Sequence, residues 1–112
     1  LVAQLCAIID SLLGVLTVLR SFADPETERV FRAERSRKLP SDIQQVALRK
    51  LRLLNRIEKL QELRIPSGNR FEQLKGYDPL RYSIRINDQW RITFNWSDGD
   101  AEDVRIEDYH RG

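Results

Sequence analysis

The chain has 112 residues, a net charge of +2, one cysteine and one histidine, with 32% of its residues charged and 41% hydrophobic. That length allows one small domain around a single core, and the composition is that of a soluble globular protein. The lone Cys6 excludes an intramolecular disulfide framework and fits a reducing, cytoplasmic setting.

One His and one Cys cannot build a zinc site without several carboxylates, and no ligand spacing points to one. There is no Gly-rich phosphate loop, no dinucleotide fingerprint and no internal repeat, so neither a metal nor a cofactor is expected. Charge is distributed unevenly. Residues 18–65 hold 12 Lys/Arg against 7 Asp/Glu, whereas residues 66–112 hold 7 against 9. Such asymmetry marks either a polyanion-binding half or a solvated charged helix.

Residues 1–17 form an apolar leader that differs from the rest. With Leu19 included, the run nearly reaches the length of a bilayer span, but Asp10 would lie at mid-membrane. No positive region precedes it, as a secretory signal requires. The expectation is a segment foreign to the domain, with the domain itself covering 18–112.

Val18 to Phe22 reads as a short strand. Asp24 then caps a helix that has Pro25 at its first position and runs to about Arg35, with Val30 and Phe31 inward. After the break at Leu39-Pro40, Ser41 is expected to cap the strongest element, a helix from Asp42 to about Glu62. At 100° per residue Ile43, Val46, Ala47, Leu51, Leu53, Leu54, Ile57 and Leu60 fall in one arc. Arg49, Arg52, Arg56 and Lys59 fall together opposite them, as a basic ladder that is either solvent-facing or a contact for RNA or an acidic partner. Lys50 sits inside the apolar arc and should snorkel to its edge.

Pro66 to Asn69 is a loop, and Phe71 to Gly76 a short strand ending in a turn. Two alternating strands follow, Tyr82–Ile86 and Trp90–Trp96, joined by Asn87-Asp88-Gln89. A second turn, Ser97 to Asp100, leads to a last strand from Val104 to His110. Alternation buries Ile84, Ile86, Ile92, Phe94, Val104 and Ile106. The opposite face, expected to be exposed, receives Arg85, Arg91, Thr93, Arg105, Glu107 and Tyr109 and ends at the only histidine. Histidine exchanges protons near neutral pH, and arginines sharing its face suit an anion. Scattered surface charge is the competing reading.

Several segments, taken in order, resemble the HigB toxins of the RelE/ParE superfamily. They are Arg20-Ser21-Phe22, the Leu74-Lys75-Gly76 turn, Tyr82-Ser83-Ile84-Arg85-Ile86-Asn87, Asp88-Gln89-Trp90-Arg91-Ile92-Thr93-Phe94, and the closing Asp108-Tyr109-His110. No single tripeptide is specific; the ordered set spans nearly all of 18–112. Family members typically begin near the equivalent of Val18, in keeping with a foreign leader. The resemblance implies an α+β fold, a small antiparallel sheet packed against two N-terminal helices. It also implies a type II toxin that cleaves mRNA in the ribosomal A site, and a HigA-type helix-turn-helix antitoxin as partner.

Metal-independent RNA cleavage uses the ribose 2′-hydroxyl as nucleophile, so a base, an acid and cations for the phosphorane are required. Arg91 is the first choice for phosphate stabilisation, supported by Lys75 and Arg85. His110 is the acid/base candidate, Tyr109 a stacking or phosphate-binding group, and Asp108 an orienting group. Asp108 also shares the buried register of Ile106, which favours a structural role. Many relatives have a His where this chain has Glu72, leaving open whether Glu72 replaces it as acid/base group. Two other functions compete: a non-catalytic, ParE-like gyrase poison and an inactive antitoxin-binding module.

Overall fold

In a computed structural model, residues 21–108 are described; the leader, most of the first expected strand, and Tyr109 and His110 lie outside them. The order is helix α1 (Pro25–Phe31), helix α2 (Ser41–Arg56), two 3-10 turns (Leu60–Arg64 and Ser67–Asn69), then strands β1 (Glu72–Leu74), β2 (Arg81–Arg85), β3 (Trp90–Ser97) and β4 (Asp100–Asp108). The strands form one antiparallel sheet in the order β1-β2-β3-β4. This is the expected α+β architecture.

Both helices bury their apolar stripes on one sheet face. Val30, Ile43, Ala47, Leu51 and Leu54 form a single core with Ile84, Ile92, Phe94, Val104 and Ile106. All six strand residues assigned to the buried face are buried. The outer edge of β4 is covered by the segment preceding α1. Of the expected first strand, Phe22 makes a single parallel bridge to Val104. Around it Ala23 N–H donates to the Val104 carbonyl and Val104 N–H to the Ser21 carbonyl. The Thr27 hydroxyl of α1 accepts the Ile106 N–H at 2.9 Å, so helix and edge strand are tied at a buried point. These bonds satisfy strand donors that would otherwise face solvent or another chain.

Three helix boundaries differ from the sequence reading. Asp24 caps α1 through Thr27 N–H at 2.8 Å, as expected, but the helix stops at Phe31 rather than near Arg35. Ala33 is left-handed at φ 61; its N–H donates to the Val30 carbonyl and that of Glu34 to Arg29. This pattern closes a helix C-terminus and usually employs glycine, so nothing in the sequence announced it.

At the start of α2, Pro40 rather than Ser41 is the N-cap, with no side-chain cap bond. At its other end the helix stops at Arg56, six residues short of the expected limit, and Ile57 turns extended. The Glu62 carboxylate accepts the N–H groups of Glu58 and Lys59, both at 2.8 Å. Those donors would have continued the helix. Held by these two N–H groups, the Glu62 carboxyl lies below the ordinary carboxylate range. The break lets Ile57 and Leu63 enter the core.

Two turns shape the sheet. Asn87 Oδ1 accepts the N–H of Gln89 at 2.8 Å and of Trp90 at 2.7 Å, closing the β2–β3 connection. Asp98 at φ 53 and Gly99 at φ 80 supply the consecutive positive angles of a tight hairpin turn. β4 therefore begins at Asp100, not at Val104. A register shift opposite Thr93/Asn95, with Asp103 at φ 55, bends the strand there.

Candidate functional site

The face of the sheet away from the helices carries the chemistry. Cross-strand pairing aligns Glu72 with Ser83 and Ser83 with Thr93; the next row brings Arg85 opposite Arg91 and Arg91 opposite Glu107. The expectation that this face is exposed is wrong for its middle. Ser83 is 0% exposed, Thr93 2%, Arg91 6% and Arg81 9%. Such burial requires mutual satisfaction of the polar groups, and the hydrogen bonds supply it.

Two arginines hold this layer together. Arg91 Nε donates to Ser83 Oγ at 2.9 Å and its Nη2 to the Arg70 carbonyl at 2.6 Å. The same Nη2 lies 3.7 Å from Glu72 Oε1. The carbonyl that receives it belongs to a residue in the left-handed region, Arg70 at φ 45. Just before it, buried Asn69 anchors the loop by donating to the Leu63 carbonyl at 3.2 Å. Arg81 Nη2 donates to Thr93 Oγ1 at 2.8 Å and to the Asp103 carbonyl at 3.0 Å, and its Nη1 to Asn95 Oδ1 at 3.0 Å. The Thr93 hydroxyl donates in turn to Glu107 Oε2.

Over this floor lies a concavity of about 360 Å³ lined by Glu72, Lys75, Tyr77, Thr93, Glu107 and Asp108, among others. It unites the turn after β1 with the end of β4, elements far apart in sequence. Of the residues singled out by sequence, Glu72, Lys75 and Asp108 share its wall, and Arg91 lies beside Glu72. Asp108 was assigned to the buried register, but it is exposed, and its Oδ2 accepts from Gln89 Nε2 at 3.1 Å. At the strand end the helical layer no longer covers that register. Arg85 stands next to Arg91 but outside the concavity, paired with Asp88. Tyr109 and His110, the two residues following Asp108, lie outside the described residues.

The basic ladder belongs to the other side of the molecule. Arg49, Arg52 and Arg56 are exposed along α2, opposite its buried stripe, and line a shallow groove with Val46 and Leu48. Lys59 is not a fourth rung, because the helix ends before it. Lys50 is partly buried as expected. Burial lowers its ammonium below the ordinary lysine range, and the charges of Arg49, Arg85 and Arg91 lower it further.

The sequence reading passed over Arg81, Ser83 and Tyr77. Arg81 sits one residue ahead of the expected strand and Ser83 was not given a face, although the alternation of β2 puts both on the polar side. Tyr77 is 49% exposed in a turn, where periodicity carries no signal.

The model of the RelE-like toxin of type II toxin–antitoxin system HigB matches residues 20–110. Toxin HigB-1 of Vibrio cholerae serotype O1 is 42% identical over 81 residues, covering 71% of this chain and 85% of the relative. An uncharacterized protein of Haemophilus influenzae is 30% identical over 70 residues, covering 62% of this chain and 69% of the relative. The matched stretch takes in both helices, the whole sheet and every residue lining the concavity. The chain belongs to the RelE-like HigB toxin family of type II toxin–antitoxin systems.

Proposed function

We propose that the chain is the toxin of a type II pair, acting as a ribosome-dependent, metal-independent endoribonuclease that cuts mRNA in the A site. The observation that carries this reading is the concavity in which Lys75, Glu72, Glu107 and Asp108 meet above a floor of fixed guanidinium groups.

Cleavage of this kind needs no cofactor chemistry. The 2′-oxygen attacks phosphorus and gives up its proton, the P–O5′ bond breaks, and the leaving 5′-oxygen takes a proton. Lys75, on a turn at the rim, is the cation placed to meet the phosphate directly. Arg91 spends its Nε and one Nη2 bond inside the protein, so its role is a fixed positive charge beneath the site. That preorganised charge stabilises the phosphorane without reorganising during the reaction. His110, two residues beyond Asp108, is the acid for the 5′-oxygen, and Asp108 and Tyr109 orient it or the base. Tyr77 offers a ring at the rim on which an unstacked base can lie.

The partner is a cognate antitoxin, and we propose one of the HigA helix-turn-helix type. Arg49, Arg52 and Arg56 are proposed to strengthen ribosome association, in which case affinity falls as salt rises. The test is expression of wild-type, His110→Ala and Lys75→Ala chains, with primer extension on cellular mRNA. The proposal expects cuts within translated codons for wild type and a loss of at least a hundredfold for each variant. Wild-type cuts that persist in both variants contradict it. Growth arrest with a DNA-damage response and no mRNA cuts favours a gyrase poison instead.

A further inference from the structure

We propose that Glu107, held by the Arg81–Thr93 pair, is the carboxylate that takes the 2′-hydroxyl proton; the inference rests on the endoribonuclease reading above. The argument begins with a proton count. Thr93 has one hydroxyl hydrogen, and Arg81 can only donate. Because Arg81 Nη2 donates to Thr93 Oγ1 at 2.8 Å, the threonine hydrogen points away from Arg81, and it is given to Glu107 Oε2. Glu107 is thereby fixed as an acceptor through Oε2, and among the described residues no hydrogen bond engages Oε1, the oxygen assigned to the substrate hydroxyl.

The clamp is rigid at its root. The Arg81 side chain is 11% exposed, and Asn95, the Asp103 carbonyl and the Asp103 carboxylate at 3.5 Å hold it in place. Thr93 is 2% exposed and sits mid-strand. A group positioned through two buried neighbours keeps one orientation without ordering by the substrate. Glu107 lines the same concavity as Lys75 and lies directly across from Arg91.

Glu72 is the rival, and its setting differs. Its side chain is 47% exposed, and its carboxylate lies 3.7 Å from the Arg91 guanidinium. A carboxylate committed to neutralising a buried cation is a structural counter-charge, and protonating it would leave that cation uncompensated. Glu107 can take a proton while Arg81 keeps its other partners.

In the step so assigned, the 2′-oxygen–phosphorus bond forms as the 2′-proton passes to Glu107 Oε1. The phosphorus–5′-oxygen bond breaks, and the 5′-oxygen is protonated by the acid of the site. The products are a 2′,3′-cyclic phosphate and a 5′-hydroxyl, with no other reactant.

The experiment is a single-turnover pH–rate profile on ribosomes programmed with an mRNA bearing one codon in the A site. Wild type, Glu107→Gln, Thr93→Val, Thr93→Ser and Glu72→Gln are compared. Glu107→Gln should lose about a hundredfold or more in rate, together with the acidic limb of the profile. Thr93→Val should lose roughly tenfold to a hundredfold and shift that limb, and Thr93→Ser should restore both. Glu72→Gln should keep the limb. The folded fraction of each variant is followed by circular dichroism across the pH range and rates are expressed per folded chain, so an unstable variant still reports. A Glu107→Gln chain that keeps the wild-type limb, or a Glu72→Gln chain that loses it, overturns the inference. Wild type that fails to cleave ribose mRNA, or cleaves the 2′-deoxy version equally, overturns instead the reading beneath it.

Discussion

The two faces of this sheet are buried to a similar depth by opposite means. On one, Ile84, Ile92, Phe94 and Ile106 lie against two helices and need only be kept from water. On the other, Arg81, Ser83, Arg91 and Thr93 are nearly as inaccessible, and each is held by named hydrogen bonds. The first face tolerates any residue of suitable volume, whereas the second requires particular donors opposite particular acceptors. The difference explains how a domain this small can keep guanidinium groups fixed beneath a solvent-filled hollow.

The comparison can be broken by mutation, and the largest effect belongs to the apolar face. Phe94→Ala should cost about 4 kcal/mol, the usual toll for emptying a buried aromatic site, as read by urea denaturation. On the polar face, Arg81→Ala should cost about 2 kcal/mol, because Thr93 loses a buried donor and the Asp103 carbonyl a partly buried one. A loss below about 0.5 kcal/mol, the level of an ordinary surface change, would show that this layer is not held as described.

Smaller effects lie in the helical layer. Ala33→Gly should stabilise by about 1 kcal/mol, since the left-handed conformation at φ 61 burdens an alanine and not a glycine. A thermal melt that moves downward contradicts the assigned helix end. Lys50→Met should raise the melting temperature slightly, by relieving a partly buried charge among Arg49, Arg85 and Arg91. The sign of its pH dependence follows from the direction of the shift. With the folded value below the unfolded one, the unfolded chain binds more protons in the window between them, so wild-type stability rises with pH there. The Lys50→Met chain should lack that rise.

The same contrast marks what could be read from sequence. Alternation in Ile84-Arg85-Ile86 and Ile92-Thr93-Phe94 assigns each residue to its face, because period two is a local property of a strand. It does not disclose that Thr93 and Arg91 are buried, since that depends on a loop anchored by Asn69 and on the bend at Asp103. The end of α2 was missed for a related reason: Glu62 draws the N–H groups of Glu58 and Lys59 through a local cap that a hydrophobic arc does not register. Within the site, Glu72, Lys75 and Asp108 were found as part of a resemblance. Arg81 and Tyr77 lie at a strand margin and in a turn, where neither pattern nor motif pointed.

The measurement that bears most directly on the account sets the two sides of the molecule against each other. Single-turnover A-site cleavage is followed over a range of ribosome concentrations for wild type, Lys75→Ala and Arg52→Ala. The account predicts that Lys75→Ala lowers the rate at saturating ribosome by about a hundredfold or more, since its interaction is made in the transition state. Arg52→Ala should only raise the ribosome concentration needed for half-maximal rate. Full-rate cleavage by Lys75→Ala at saturation, with the loss falling on Arg52→Ala instead, would contradict the assignment of the chemistry to the polar face of the sheet.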